Sequence, residues 1–247
     1  MKRLRFAIAV PVGAWHPRLA IAVRSLIAQS RDVNLSVALL DASCDPRVMR
    51  DVEPLNSLVT YSRSYPDAGQ AAAIQEGWNA LAADVYGWLN IDDFLYPSAL
   101  ARVERELLRR PDAGLVYGQS MMIDSSGQYV GPHPVLAPPG PSICRSNQIS
   151  QPSAFIRSEA LARVRGLDPE LAYTMDWDLW IRLFKAGVTF SMIGETLSGV
   201  VLEPGTKTMQ MNSRRTREIA TLVAQSSGRG AAAPSLVAFE LQHPAEA

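Results

Sequence analysis

Short apolar runs alternate with stretches of helical spacing through the first hundred residues, and this alternation constrains the fold most strongly. The runs are Phe6–Val10, Leu35–Leu40, Leu58–Tyr61 and Val85–Ile91. A continuous apolar run is typical of a strand that is covered on both faces. Strands separated by helices predict an α/β fold, in which right-handed crossovers build a parallel sheet.

The second half of the chain has less regular patterns. We predict strand pieces around a turn within 114–130 and a proline-rich loop over 131–142. The further predicted elements are a strand at Ser153–Ile156, a helix from Ser158 that stops at Gly166, a helix over Asp176–Ala186, a strand pair at Val188–Ile193 and Thr196–Leu202, and a helix over 213–225. We expect the tail from Ser226, rich in Ala, Gly and Pro, to be mobile.

Composition excludes several classes of protein. The 24 Lys and Arg residues balance 24 Asp and Glu residues, so no general basic field would attract nucleic acid. Two cysteines are too few for a disulfide scaffold, and we expect a reducing, cytoplasmic location. No apolar stretch approaches the roughly 18 residues of a membrane span. The N-terminus resembles a signal peptide, but Pro11 interrupts its apolar run, which we interpret as the first strand.

Acidic residues are placed at the ends of the predicted strands. Asp41, Asp67 and Asp92 lie toward the carboxyl edge of the sheet, where ligands bind in open α/β folds. Asp92 and Asp93 are adjacent and repel each other, and a divalent metal shared with a diphosphate would relieve that repulsion. The alternative is that Asp93 caps a helix beginning near Pro97 and the pair is simply solvated.

A second acidic position precedes the predicted helix over Asp176–Ala186. A carboxylate at a helix N-terminus is stabilised as the anion, which is the form that a general base needs. The alternative interpretation is a helix cap at Asp176, with Asp178 and Arg182 forming an ion pair one turn apart.

Other catalytic motifs are absent from the sequence. It contains no G-x-S-x-G, G-x-G-x-x-G or Walker sequence, which argues against a hydrolase triad, a dinucleotide enzyme and a kinase. The histidines His16, His133 and His243 have no partner at metal-ligand spacing, so we interpret them as surface residues.

Four segments, taken in order, resemble the family 2 glycosyltransferases, which have the GT-A fold. They are Phe6–Val12 with Leu26–Gln29, the D-x-S-x-D turn in Leu40–Asp45, the run Pro66–Gly77 followed by Gly87–Asp93, and Gly166–Tyr173 followed by Asp176–Arg182. The resemblance covers about Phe6 to Leu202. It implies a Rossmann-like, nucleotide-binding mixed sheet flanked by helices in a single domain over 1–212. Residues 1–112 would form the donor half, 113–212 the acceptor half, and 213–247 a C-terminal helix and tail.

The resemblance implies an inverting transfer of a sugar from a nucleotide-diphosphate sugar to an acceptor hydroxyl, in polysaccharide or glycan assembly. The implied donor-binding residues are Pro11, Val12, Asp41, Asp67, Gln70, Asn90 and Asp92. Asp92 and Asp93 would bind Mn²⁺ or Mg²⁺, and Asp176 would be the general base. Gln151, Ser153 and Asp178 would lie on the acceptor side. The donor would be a UDP-, GDP- or dTDP-sugar, and the acceptor a glycan or a lipid-linked molecule.

Three positions depart from the family pattern. Asn90 stands for the first acid of D-x-D, Met175 for the Glu before the base, and Gln75 for an Asn. The first two favour the alternative of a non-catalytic sugar-nucleotide or glycan-binding protein with this fold. A sugar-phosphate nucleotidyltransferase would need a glycine-rich basic loop after the first strand, which residues 12–16 do not supply.

One absent motif and two C-terminal features complete the expectations. No Q-x-x-R-W sequence occurs, which disfavours a processive polymer synthase. Residues 202–211 are predicted to form a mobile flap that orders over the donor. The apolar residues Ile219, Leu222 and Val223 are predicted to pair two subunits or to contact the inner face of a membrane.

Overall fold

A computed structural model describes residues 3–135, 139–203 and 212–228. The strands are β1 (Arg5–Val12), β2 (Asn34–Asp41), β3 (Val59–Ser64), β4 (Val85–Trp88), β5 (Phe94–Leu95), β6 (Ala113–Asp124), β7 (Tyr129–Pro132), β8 (Ala154–Arg157) and β9 (Thr189–Leu202). The α-helices are α1 (Leu19–Gln29), α2 (Pro46–Val52), α3 (Gln70–Ala80), α4 (Ala99–Arg109), α5 (Ser158–Val164), α6 (Met175–Lys185) and α7 (Ser213–Ser227). Short 3₁₀ helices lie at Glu53–Leu55, Pro141–Cys144 and Gln151–Ser153.

The strands form one mixed sheet in the order β3-β2-β1-β4-β8-β6-β9-β5, with β7 paired to β6. The first four are parallel, as their continuous apolar runs predict. β8 is antiparallel to both of its neighbours, β4 and β6, whereas β9 runs parallel to β6. The predicted α/β class is confirmed, and the carboxyl ends of β1, β2 and β4 lie at one edge of the sheet.

Helices cover both faces of the sheet, and each face has its own apolar core. One core contains residues of α1 and α4, including Leu26 and Leu100, packed on β1 and β2. The other contains residues of α3, α6 and α7. In that second core the Trp88 ring stacks on Trp180 at 6.1 Å between centroids and meets Trp78 edge-on at 5.6 Å. These rings join the end of β4 to α3 and α6.

The structure corrects three predicted elements. The strand pair at Val188–Ile193 and Thr196–Leu202 is a single strand, β9, because it follows β6 along its whole length and absorbs the irregularity as register shifts. β4 ends at Trp88 rather than Ile91, because the chain turns there and the Asp93 amide donates to the Asn90 carbonyl. Asp93 does not cap α4, since that helix begins at Ala99 with Ser98 as its cap residue.

The C-terminal helix also differs from its prediction. Ile219, Leu222 and Val223 are buried in this chain's own core, so they are not available to pair subunits or to contact a membrane. Among the described residues, no helix is long and apolar enough to cross a bilayer. α7 continues to Ser227, into the tail predicted from Ser226. The tail beyond residue 228 and most of the predicted flap, residues 204–211, lie outside the described residues.

Candidate functional site

The carboxyl ends of β1 and β2 form one wall of the candidate site. Pro11 and Val12 are buried, and the Val12 carbonyl accepts the Ala42 amide at 2.8 Å. Asp41 is fully buried. One of its oxygens accepts the amide and hydroxyl of Ser43 at 2.9 and 2.6 Å, and the other accepts the Ser64 hydroxyl at 2.9 Å. Asp41 therefore fixes the turn after β2 to the end of β3, and in this arrangement its oxygens are already occupied.

Asp67 shapes the turn that leads into α3. It accepts the Gly69 amide at 2.8 Å and the Arg63 guanidinium at 2.7 Å. Gly69 has φ of 119°, a left-handed conformation that favours glycine. Arg63 is buried and also contacts Glu76 at 2.8 Å. Sequence reasoning missed Arg63, because the predicted strand Leu58–Tyr61 ends before it, whereas β3 continues to Ser64.

Asn90 is the hub of a polar network at the end of β4. Its side-chain oxygen Oδ1 accepts Gln70 Nε2 at 2.7 Å. Its Nδ2 donates to Asp93 at 3.2 Å and to Gln151 at 3.3 Å. Gln151 in turn donates to the Trp88 carbonyl at 2.8 Å. The structure thus brings together two predicted donor-binding residues, Gln70 and Asn90, and the predicted metal ligand Asp93. Gln151, predicted for the acceptor side, joins the same network.

The pKa values of Asp92 and Asp93 are raised by some neighbouring groups and lowered by others. Burial raises the pKa of Asp93 well above its ordinary value, and the neighbouring Asp92 raises it further. The Asn90 amide opposes this shift. Burial also raises the pKa of Asp92, and Glu203 raises it further, while His16 and Arg18 lower it. Both pKa shifts disfavour the doubly ionised pair, and positive charge placed at the pair would oppose them.

Two of the charged groups that act on Asp92, His16 and Arg18, lie in the loop after β1, and both contact Glu203. Arg18 contacts Glu203 at 2.6 Å and also donates to the Ser125 carbonyl at 2.6 Å. His16 lies 3.3 Å from the other oxygen of Glu203. His16 is half-buried, with 29% of its side chain exposed, and its interpretation as a surface residue missed this contact with a carboxylate. Sequence spacing could not show this, since Glu203 is distant along the chain.

The oxygen donors of Asn90, Asp92 and Asp93 suit a hard cation such as Mg²⁺ or Mn²⁺. The described residues contain no cluster of three or more acidic, His or Cys side chains that would hold a metal by themselves. Such a donor set fits a cation whose coordination is completed by a phosphate-bearing ligand, with Asp92 and Asp93 as the residues that would hold it.

Asp176 lies in the first turn of α6 and accepts Asn147 Nδ2 at 3.0 Å. Burial raises the pKa of Asp176, and four interactions oppose the shift: hydrogen bonds from the Trp177 amide, the Asn147 side chain and its own amide, and the Arg215 charge. Thr174 is the cap residue of α6, so the interpretation of Asp176 as a cap is wrong. Asp178 and Arg182 form the ion pair that the spacing predicts, at 2.6 Å.

One loop spans both acidic positions. Asn147 contacts Asp176, while Gln151, four residues later, contacts Asn90 and the Trp88 carbonyl. The stacked rings of Trp88 and Trp180 join the same two elements from inside. The candidate base and the end of β4 are therefore tied into a single arrangement.

Ser153 is fully buried and faces away from this loop's polar contacts. Its hydroxyl lies 2.8 Å from that of Ser120 and 2.6 Å from that of Ser198, and it donates to the Gln119 carbonyl at 2.9 Å. In this arrangement Ser153 could not contact an acceptor, and its place is in the packing between β6, β8 and β9.

Comparisons with known proteins bear on the fold. No protein-family model matches the chain. Over 161 residues, 64% of this chain, it is 30% identical to an O-antigen biosynthesis protein, RfbC, of Myxococcus xanthus. The chain spans only 12% of that protein's length.

Two solved structures share the fold at low sequence identity. Staphylococcus aureus TarS 1-349 in complex with UDP-GlcNAc is 13% identical with a TM-score of 0.65, and the match covers 97% of this chain and 72% of that one. The mannosyltransferase PcManGT of Pyrobaculum calidifontis, in complex with GDP-Man and Mn²⁺, is 15% identical with a TM-score of 0.65, over 98% of this chain and 75% of that one. The resemblance stated from the sequence is thereby confirmed at the level of the fold: the chain has the GT-A architecture found in glycosyltransferases.

Proposed function

We propose that this protein is an inverting glycosyltransferase of family 2 that uses a nucleotide-diphosphate sugar. The observation that carries the proposal is the loop from Asn147 to Gln151, which ties the candidate base Asp176 to the polar network of Asn90 at the end of β4. A transferase needs both parts at once, a place for the leaving diphosphate and a base for the incoming hydroxyl. A protein that only binds a sugar nucleotide has no need of the second.

The donor would occupy the edge formed by β1, β2 and β4. Pro11, Val12 and Asp41 would form the wall beside the nucleoside, and Gln70 and Asn90 would orient the pyrophosphate and sugar. Asp92 and Asp93 would hold a divalent cation, which would neutralise the diphosphate as it leaves. Arg18 acts on Asp92 and would add positive charge at the same place, which its partner Glu203 offsets in part.

Asp176 would accept the proton of the acceptor hydroxyl. The acceptor oxygen forms a new bond to the anomeric carbon, the bond from that carbon to the diphosphate breaks, and the proton passes to the Asp176 carboxylate. Because attack and departure occur on opposite faces, the configuration inverts. A raised pKa makes Asp176 a stronger base than an exposed aspartate, provided that it remains ionised at the working pH.

The acceptor side is proposed more coarsely. Gln151 and Asp178 remain candidates for contacts to a glycan or lipid-linked acceptor, in polysaccharide assembly at the cytoplasmic face of a membrane. The relatives support this role, since one has O-antigen biosynthesis in its name and another was solved with a sugar nucleotide.

Calorimetry with UDP, GDP and dTDP tests the donor site, first with Mn²⁺ and then with EDTA. We expect micromolar binding of one nucleotide that is lost with the chelator. Binding that EDTA does not change would remove the metal from the proposal, and no binding of any nucleotide would contradict the transferase itself. Nuclear magnetic resonance of the product from a matched sugar nucleotide would then show whether the anomeric configuration inverts.

A further inference from the structure

The N-terminal turns of α7 contact the segment that leads into α6, which carries Asp176. Asn212 caps α7 by accepting the Arg215 amide at 3.0 Å, and its Nδ2 donates to the Tyr173 hydroxyl at 2.7 Å. A helix beyond the predicted catalytic region is therefore joined to the residues immediately before the candidate base.

Glu218 makes the densest of these contacts. Its Oε2 accepts the amides of Tyr173 and Thr174 at 2.8 and 3.2 Å, and its Oε1 accepts the amide of Ala172 at 3.1 Å. The Thr174 hydroxyl lies 3.4 Å from Oε2. Three consecutive backbone amides thus converge on one carboxylate whose side chain is only 10% exposed. Hydrogen bonds to an ionised acceptor are among the strongest in proteins, so this clamp fixes the backbone just before α6.

The rest of α7 keeps Glu218 in place. Ile219 and Val223 are buried in the core that also contains Trp180 of α6. Arg215 is 7% exposed, and its charge acts on both Asp176 and Tyr173. A helix held by an apolar face and a buried cation cannot slide without moving the amides that Glu218 holds.

We propose that Glu218 is a positioning residue for Asp176, acting through the amides of residues 172–174 to hold the first turn of α6 in register with Asn147. The proposal rests on the proposed function, because it assigns Glu218 to the same site. In the sequence-based division, α7 lies outside the catalytic domain over 1–212. The proposal makes α7 part of the same site. Asp176 itself would touch the substrate, whereas Glu218 would not.

The test compares Glu218→Ala and Glu218→Gln with the control Arg214→Ala. Arg214 is an exposed partner of Glu218 at 3.1 Å and also donates to the Glu170 carbonyl at 3.1 Å. Its removal takes away these two surface contacts and leaves the amides of residues 172–174 on Glu218. For each variant we would measure kcat, the donor KM, the thermal midpoint and amide hydrogen exchange over residues 170–178. Exchange needs no turnover, so it tests the clamp even if no donor is found.

We expect Glu218→Ala to lower kcat by about 10- to 100-fold with the donor KM within twofold, because small misplacements of a reacting group cost factors of this size. Exchange of residues 172–174 should accelerate at least about tenfold once the carboxylate is gone. Glu218→Gln retains one acceptor oxygen, so its kcat should fall between the wild type and Glu218→Ala, while Arg214→Ala should stay within twofold of the wild type.

Two results would overturn the inference. One is unchanged exchange of residues 172–174 in Glu218→Ala, which would show that the carboxylate does not hold this segment. The other is a wild-type kcat in Glu218→Gln together with parallel losses of stability, KM and kcat in Glu218→Ala, which would reduce Glu218 to a structural residue. A wild-type protein without turnover would instead contradict the proposed function, and the exchange result would stand apart from it.

Discussion

The two acidic positions of the molecule differ in what compensates their charge. At the end of β4, Asp93 is 6% exposed and accepts the neutral side-chain amide of Asn90, while the adjacent Asp92 repels it. At the start of α6, Asp176 has a helix amide, Asn147 and the Arg215 cation acting on it. The first position carries a repulsion between two adjacent carboxylates that a bound cation would relieve, whereas no neighbouring carboxylate acts on Asp176 and hydrogen bonds and a cation of the chain oppose the effect of its burial. This difference suits a metal–diphosphate site on one side and a base on the other.

The largest expected effect tests the internally stabilised position. Asp176→Asn keeps the size of the side chain and removes its basicity, so kcat should fall by about 10³-fold, since general-base catalysis contributes on that order. Nucleotide affinity should stay within twofold. Single-turnover kinetics and calorimetry on the same sample separate the two quantities.

A matched control for Asp176→Asn is Glu159→Gln, which removes another acid from the first turn of a helix, α5, at an exposed position. Its kcat should match the wild type. Should Asp176→Asn retain full turnover, Asp176 is not the base. A wild type that binds nucleotide without turnover would favour the non-catalytic alternative.

The same substitution has a consequence for stability. The raised pKa of Asp176 means that the folded state binds a proton more tightly than the unfolded state does. The contribution of Asp176 to folding therefore falls as pH rises from the ordinary value of 3.8 through the raised one. Asparagine stays neutral, so at neutral pH Asp176→Asn should unfold at equal or higher urea concentration than the wild type. Urea titrations at acidic and neutral pH check this, and a neutral-pH midpoint well below that of the wild type would contradict it.

The second largest effect tests the externally compensated position. Asp92→Asn should weaken Mn²⁺-dependent nucleotide binding by about 10- to 100-fold, because loss of a carboxylate ligand removes both charge and coordination. The nucleotide affinity that remains should no longer respond to EDTA. Calorimetry with and without chelator measures this.

The control for Asp92→Asn is Asp112→Asn, which changes an exposed carboxylate paired with Arg110 just before β6. It should bind nucleotide as the wild type does. Equal binding by Asp92→Asn and the wild type, with and without EDTA, would show that Asp92 does not hold a metal for the nucleotide. The proposed difference between the two acidic positions would then be wrong.

The sequence revealed the acidic positions but not their surroundings. Short apolar runs predicted β1, β2 and β4, and the strand ends predicted where Asp41 and Asp92 would lie, because these are local patterns on a parallel sheet. The partners of those residues are distant in sequence: Glu203 for Arg18, Gln151 for Asn90, and Glu218 for Tyr173. Such pairs follow from packing, which a single sequence does not display.

The same limit explains the misread residues. Ile219 and Val223 have the spacing of an apolar helix face, and spacing alone cannot say whether the face meets another subunit or the chain's own core. Ser153 lies two residues from Gln151. The Gln151 side chain belongs to the polar network at the end of β4, whereas the Ser153 hydroxyl is buried against other serine hydroxyls. Proximity along the chain therefore predicted the region of the site better than its members.

A smaller effect concerns the cation beside the base. Replacing Arg215 by Gln should raise the pKa of Asp176 further, because the Arg215 charge opposes the shift caused by burial. The other groups facing Asp176 are the neutral Asn147 and the Trp177 amide, and Tyr173 faces Arg215. The acid limb of the kcat profile should therefore shift to higher pH in Arg215→Gln, as the protonated base accumulates. Arg215→Lys keeps the cation and should restore most of the wild-type pH profile of kcat, whereas a uniform loss at every pH would assign Arg215 to packing alone.

The smallest effect concerns a buried polar cluster that carries no charge. The hydroxyls of Ser120, Ser153 and Ser198 lie within 2.6 to 2.8 Å of one another and are fully buried. Ser198→Ala removes one member and leaves the other two bonded, so the free energy of unfolding should fall by about 1–2 kcal/mol. Nucleotide affinity should not change, because these neutral hydroxyls already hydrogen-bond one another inside the protein. Asp92 and Asp93, in contrast, are proposed to bind a cation. Urea unfolding followed by calorimetry measures both quantities, and a loss of nucleotide binding in a stably folded Ser198→Ala would show that this cluster belongs to the site after all.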